Sequence, residues 1–173
     1  VKMSGSIALD STYIWLKRNI ENIGYQTKTQ KFLNYKDTLK NIEFVKHGSN
    51  DSSIIICAHY DSWVGTGVND NGTGNFALYQ FAKLIKPLST KYTIRFIYFS
   101  GEELGFLGSQ HYVKFLDKDS VKIKYVINFD QLGGTVDQDN SGVKCERDEE
   151  SNKKVESNLI AESLSKSYLS LIH

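Results

Sequence analysis

The sequence predicts an α/β fold: a mostly parallel central sheet with helices on both faces, preceded by an N-terminal helix and an edge hairpin. Three observations predict it. First, SIIICAH at 53–59, YTIRFIYFS at 92–100 and KIKYVINFD at 122–130 are β-branched and aromatic runs, and continuous apolar strands of this kind suit burial on both faces of a sheet. Second, helical stretches at about 74–85 and 102–116 separate these runs, the alternation expected of βαβ units. Third, the chain has 173 residues, 40% hydrophobic and 24% charged, which suits one domain with a real core and no disulfide framework.

The elements follow in order. Ile14, Leu16, Ile20 and Ile23 recur at roughly helical spacing, so Ile7 to Ile23 reads as a helix that Gly24 stops. Tyr25–Phe32 and Thr38–Val45 read as strands around the turn Asn34-Tyr35-Lys36-Asp37, and their mixed polarity places this hairpin at a sheet edge. The three central strands and two intervening helices come next, with Pro87, the single proline, closing the first of those helices. A short strand near Val143–Arg147, a polar surface stretch over Arg147–Asn158 and a last helix over Val155–Ile172 complete the pattern.

Composition excludes several classes. With 21 Lys+Arg against 20 Asp+Glu, the net charge of +1 is unsuited to neutralising many phosphates, so no nucleic-acid partner is expected. The longest apolar run, Ile54 to Ala58, is far too short to span a bilayer. Cys57 and Cys145 can make at most one bridge and read as buried thiols. Val1-Lys2-Met3-Ser4 carries no signal-peptide pattern.

The polar residues gather at one kind of place. His59 and Asp61 close the first central strand and Asp70 lies in the loop after it. Glu102 and Glu103 follow the second strand, and Asp130 ends the third. The carboxyl ends of parallel strands share one edge, where ligands bind. One imidazole and several carboxylates in one crevice need a cation, and this donor set suits zinc or a related divalent ion. In His59-Tyr60-Asp61, alternation puts residues 59 and 61 on the same side, so Asp61 can accept a hydrogen bond from one His59 nitrogen while the other binds metal. Glu102 and Glu103, adjacent at a helix start, point in different directions, so one can ligate while the other stays free as a base. Taken singly, each acidic residue reads as a helix cap or a solvated loop residue, and His59 as a core histidine. The joint pattern carries the argument.

AHYDS (58–62), NDNGTG (69–74), FSGEELGFLGSQHYV (99–113) and NFDQLGG (128–134) resemble, in order and separation, the metal-binding blocks of the M28 zinc aminopeptidases. Gly24-Tyr25 and Asn41 are similar to that family's lead-in. The resemblance implies a zinc-peptidase fold and a two-zinc site, with His59 and Asp130 on one zinc, Asp70 bridging, and Glu103 on the second. It implies Glu102 as general base and Asp61 as the residue orienting His59. The implied activity is aminopeptidase action on peptides with a free N-terminus, and the implied place is outside the cytoplasm: secreted, periplasmic or in the cell envelope. The family's last zinc-ligating histidine follows the last helix, but this chain ends at Ser170-Leu171-Ile172-His173. The expectation is therefore a single peptidase domain over 1–173, cut short at its C-terminus. Two zinc ions are expected in the complete enzyme and one or none in this piece, whose own activity the sequence leaves open. His173 reads as a frayed end, and His111 and His47 as surface or packing residues.

Two rival readings keep the scaffold: a single-zinc glutaminyl-cyclase-like enzyme, and a non-catalytic binding domain. Weaker signals remain. Residues 137–148 match the spacing of a calcium loop but lack flanking helices, and read as a polar hairpin or loop. Sequons at Asn50 and Asn71 read as coincidence, and Gly65-Thr66-Gly67 lacks the third glycine of a dinucleotide fingerprint. Nothing in the sequence sets the oligomeric state.

Overall fold

Ser6 opens the first helix by accepting a hydrogen bond from the Leu9 amide, and α1 runs Ile7–Asn22. The structure is a computed structural model that describes residues 1–63, 65–116 and 120–133. Two antiparallel strands follow, β1 (Thr27–Asn34) and β2 (Asp37–Lys46), paired up to Asn34 opposite Asp37, so the turn is Tyr35-Lys36. Then come β3 (Ser52–His59), α2 (Gly74–Ile85), β4 (Thr93–Phe99), α3 (Leu107–Phe115) and β5 (Lys122–Asn128). Residues 1–132 form one compact unit. The expected strand at 143–147, polar stretch at 147–158, helix at 155–172, calcium-type loop at 137–148, Cys145 and His173 lie outside the described residues.

The sheet order is β1-β2-β4-β3-β5. β3 pairs in parallel with β4 on one side and β5 on the other, and β2 joins β4 antiparallel, which makes the hairpin the mixed edge of a parallel centre. From β3 the chain crosses by α2 to β4. It then returns by α3 past β3 to β5. Travelling in opposite directions with right-handed crossovers puts these helices on opposite faces, and makes β3 the switch strand.

Strand alternation divides the core accordingly. Ile56, Ala58, Phe96 and Tyr98 pack with Leu16 and Ile20 of α1 and Leu78 and Ala82 of α2. Ile55, Cys57 and Ile97 pack with Tyr112 of α3. The rings of Phe44 and Phe96 stack at 4.8 Å in the larger cluster. Cys57 is a buried free thiol whose pKa burial pushes up to about 12. His111 stacks on Phe32, centroids 4.8 Å apart, as a packing residue.

Two expectations need correction. The helix expected from Glu102 begins only at Leu107, because Gly101, Gly105 and Phe106 take positive φ values (74°, 90° and 61°) that no α-helix holds. Residues 102–106 form a turn instead, with the Glu102 carbonyl accepting from the Gly105 and Phe106 amides. The third central run is a strand, but its residues alternate between exposed and half-buried, with Val126 62% exposed. Lying outermost in the order, β5 has a neighbouring strand on one side only among the described residues.

Candidate metal centre

The carboxyl ends of β3, β4 and β5 converge as the sequence predicts. His59 is the last residue of β3 and is buried at 2% exposure. Its Nε2 lies 3.1 Å from Asp70 Oδ1, 3.5 Å from Asp130 Oδ1 and 3.9 Å from Glu102 Oε2. His59, Asp70 and Glu103 each offer a ligand atom within 4.8 Å of the others. His59, Asp70, Glu102, Glu103 and Asp130 therefore lie together in one cluster.

Asp61, buried, braces it from below. Its two oxygens accept the Glu102 and Glu103 amides, each at 3.2 Å, which fixes the turn after β4 against the end of β3. Its Oδ1 is 3.6 Å from His59 Nδ1, an ion-pair distance rather than the hydrogen bond expected from sequence. Glu103 Oε1 accepts the Trp63 amide at 3.1 Å, tying this carboxylate to the β3 loop.

Three positions escaped the sequence reading. Asn71 is fully buried; it donates to the Phe129 carbonyl at 2.8 Å and accepts from the Gly74 and Gln131 amides, so it staples the loop before α2 to the end of β5. Asn75, one helical turn on, donates to the carbonyls of His59 and Asn71. Gln131 Nε2 donates to Asp70 Oδ2 at 3.2 Å. The only sequence signal was adjacency: Asn71 follows Asp70 and Gln131 follows Asp130. The burial of Asn71 also disposes of its sequon as a glycan site.

The electrostatics follow from crowding. Burial lowers the His59 pKa, but Asp61, Glu102 and Asp130 together outweigh it and leave it pushed up to about 9. Burial raises Glu102, partly offset by His59 and reinforced by Asp61, Glu103 and Asp130. Burial likewise raises Asp130, again offset by His59. Without a metal, a proton on His59 helps to offset these carboxylates, alongside the partly buried Lys2, which interacts with Asp61 and Asp70. His59 Nδ1 and Asp130 Oδ1 are buried without hydrogen-bond partners. A hard or borderline divalent cation fits this donor set, taking one imidazole nitrogen and carboxylate oxygens.

The family profile of Peptidase family M28 matches residues 41–169, more than half of the chain, and the chain belongs to this family. Aminopeptidase YwaD of Bacillus subtilis is 38% identical over 111 residues, 61% of this chain and 24% of that protein. The chain spans between 18% and 24% of the length of the curated aminopeptidases it matches. Among solved structures, the LapA aminopeptidase of Legionella pneumophila superposes with a TM-score of 0.69 at 28% identity, over 80% of this chain and 41% of that one. A Zn-dependent exopeptidase from Parabacteroides distasonis gives 0.67 at 21% identity, over 78% and 57%. The glutaminyl cyclase of Porphyromonas gingivalis gives 0.65 at 19%, over 78% and 54%. At these identities the last two show a shared fold alone. No helix among the described residues is long and apolar enough to cross a membrane.

Proposed function

We propose that the chain carries the zinc site of an aminopeptidase that removes the first residue from peptides with a free N-terminus. The observation that carries this reading is the meeting of His59 Nε2 with the carboxylates of Asp70, Asp130 and Glu102 within 3.9 Å. His59, Asp70, Glu103 and Asp130 are the proposed ligands, in a site for up to two ions in the complete enzyme. Zinc held there would supply Lewis acidity, lowering the pKa of water and polarising the scissile carbonyl.

The chain's own residues do the rest. Glu102 is the proposed general base: it takes a proton from the attacking water and passes it to the leaving amine. Burial and like charges raise its pKa, which strengthens it as a base. Asp61 positions Glu102 and Glu103 through their amides and steadies His59. The surplus of carboxylates favours the substrate's α-ammonium group. Export from the cytoplasm belongs to the same proposal and rests on the family.

The test uses Glu102→Gln, which keeps shape and loses the base. Release of free amino acid from a peptide should fall by about 10²–10⁴ in kcat while zinc content stays unchanged. Unchanged hydrolysis would remove Glu102 from its role. Formation of pyroglutamate from an N-terminal Gln peptide, without release of amino acid, would replace the aminopeptidase reading with a cyclase.

A further inference from the structure

Asp70 is the most exposed of the carboxylates around His59, with 45% of its side chain accessible. It sits in the loop of residues 68–73, where regular helical dihedrals are absent at residues 70 and 71. A carboxylate in that position turns about its side-chain bonds unless something holds it, and each freed rotamer costs a ligand its aim. Its two oxygens nevertheless have different environments. Oδ1 faces His59 Nε2 at 3.1 Å. Oδ2 accepts a hydrogen bond from Gln131 Nε2 at 3.2 Å.

We propose that Gln131 is a positioning residue for metal binding: its amide holds Asp70 Oδ2 and thereby keeps Oδ1 aimed at the ion beside His59. The inference rests on the reading of Asp70 as a ligand. An ionised carboxylate only accepts, so the Gln131 amide must present its nitrogen there, and the orientation is set by chemistry. Gln131 is itself held. Its backbone amide donates to Asn71 Oδ1 at 3.3 Å, and the next residue, Leu132, donates to Thr73 Oγ1 at 3.0 Å. The segment after β5 is thus laced to the Asp70 loop on both sides of the contact.

The backbone gives a second, independent sign. Gln131 has φ of 48°, in the left-handed region that glycine adopts most easily. A side chain in that conformation is strained where glycine is not, and such positions persist where surrounding contacts over-determine them. Glycine would relieve the backbone but supply no amide. Outer hydrogen-bond partners of this kind typically govern metal affinity by about 10–100-fold.

The test is the affinity of the purified protein for cobalt(II), read from visible absorption in competition with a chelator. Thermal stability of the metal-free protein is measured in parallel. Gln131→Met keeps length and loses the donor; Gln131→Gly loses the donor and relieves the positive φ. Both are expected to weaken cobalt(II) binding about 10–100-fold, and the glycine variant to do so with no loss of metal-free stability. If either variant binds within about threefold of the parent, the proposal is overturned, because position or packing and not the amide then sets affinity. Asp70→Asn separates the two levels. If it abolishes tight binding while Gln131→Met does not, only the role of Gln131 fails. If it too leaves binding unchanged, Asp70 is not a ligand and both readings fall.

Discussion

Asp61 concentrates three tasks in one buried carboxylate. It holds the amides of Glu102 and Glu103 and lies against His59 Nδ1. Asp61→Asn replaces one acceptor oxygen by an amide nitrogen, which then faces a backbone N–H or the imidazole. Two donors cannot pair, so the turn after β4 must shift. Zinc affinity is expected to fall about 10–100-fold, as for loss of other partners of metal ligands. Chelator competition checks this, and an unchanged affinity would show that the brace is dispensable. His59, Asp61, Asp70, Glu102, Glu103 and Asp130 are legible in the sequence alone, because each follows or ends a strand whose apolar run is plain there. Asn71, Asn75 and Gln131 are not, because their roles are contacts with chain up to 61 residues away. No local spacing encodes those.

At the scale of elements, α3 and its approach to the sheet are the instructive case. The sequence Glu102-Glu103 has the look of an acidic first turn, and that look misplaces the helix start by five residues. Glycines that punctuate the run are visible in the sequence, but their positive φ values are not. What brings α3 close is Asn41 on β2. Its Nδ2 donates to the Gly108 carbonyl at 2.9 Å and its Oδ1 accepts the Ser100 amide at 3.2 Å. Gly108 is tight against this staple: a Cβ there would meet Ser100 O at 2.3 Å and Asn41 Oδ1 at 2.6 Å. Ser100 O is backbone and the buried Asn41 side chain is held by its hydrogen bonds, so Gly108→Ala must push α3 off the sheet. Overpacking of this kind costs about 1–3 kcal/mol, and chemical denaturation should read it as a lowered midpoint with an unchanged slope. An unchanged midpoint would mean the helix relaxes freely. β5 is the other partial reading: its apolar run marks a strand, while its outermost place among the described strands is something no single strand's sequence carries.

At the scale of the whole molecule, the site is a store of proton-linked stability. The unfolded chain leaves His59 near its ordinary value of about 6.5. In the folded metal-free protein it rises to about 9, so the fold holds that proton more tightly than the unfolded chain does. Below pH 6.5 both states are protonated and the stabilisation is complete. Between there and pH 9 only the unfolded chain gives up its proton, and stability falls as pH rises. Glu102 and Asp130, both raised, act with the same sign in the acid range. The shift of His59 corresponds to at most about 3 kcal/mol, and at 2% exposure little of it is screened by solvent. Zinc bound at the proposed site would reverse the trend, because the ion would need His59 neutral and would compete with its proton. The melting temperature of chelated protein is therefore expected to drop from pH 6 to pH 9, while the added stability conferred by zinc grows over the same interval. Thermal unfolding of both forms, with His59→Asn as the reference whose chelated form lacks the drop over this interval, measures it. A chelated protein equally stable across the interval, or one whose His59→Asn variant keeps the full drop, would show that the carboxylates do not share a proton with His59 as their geometry implies.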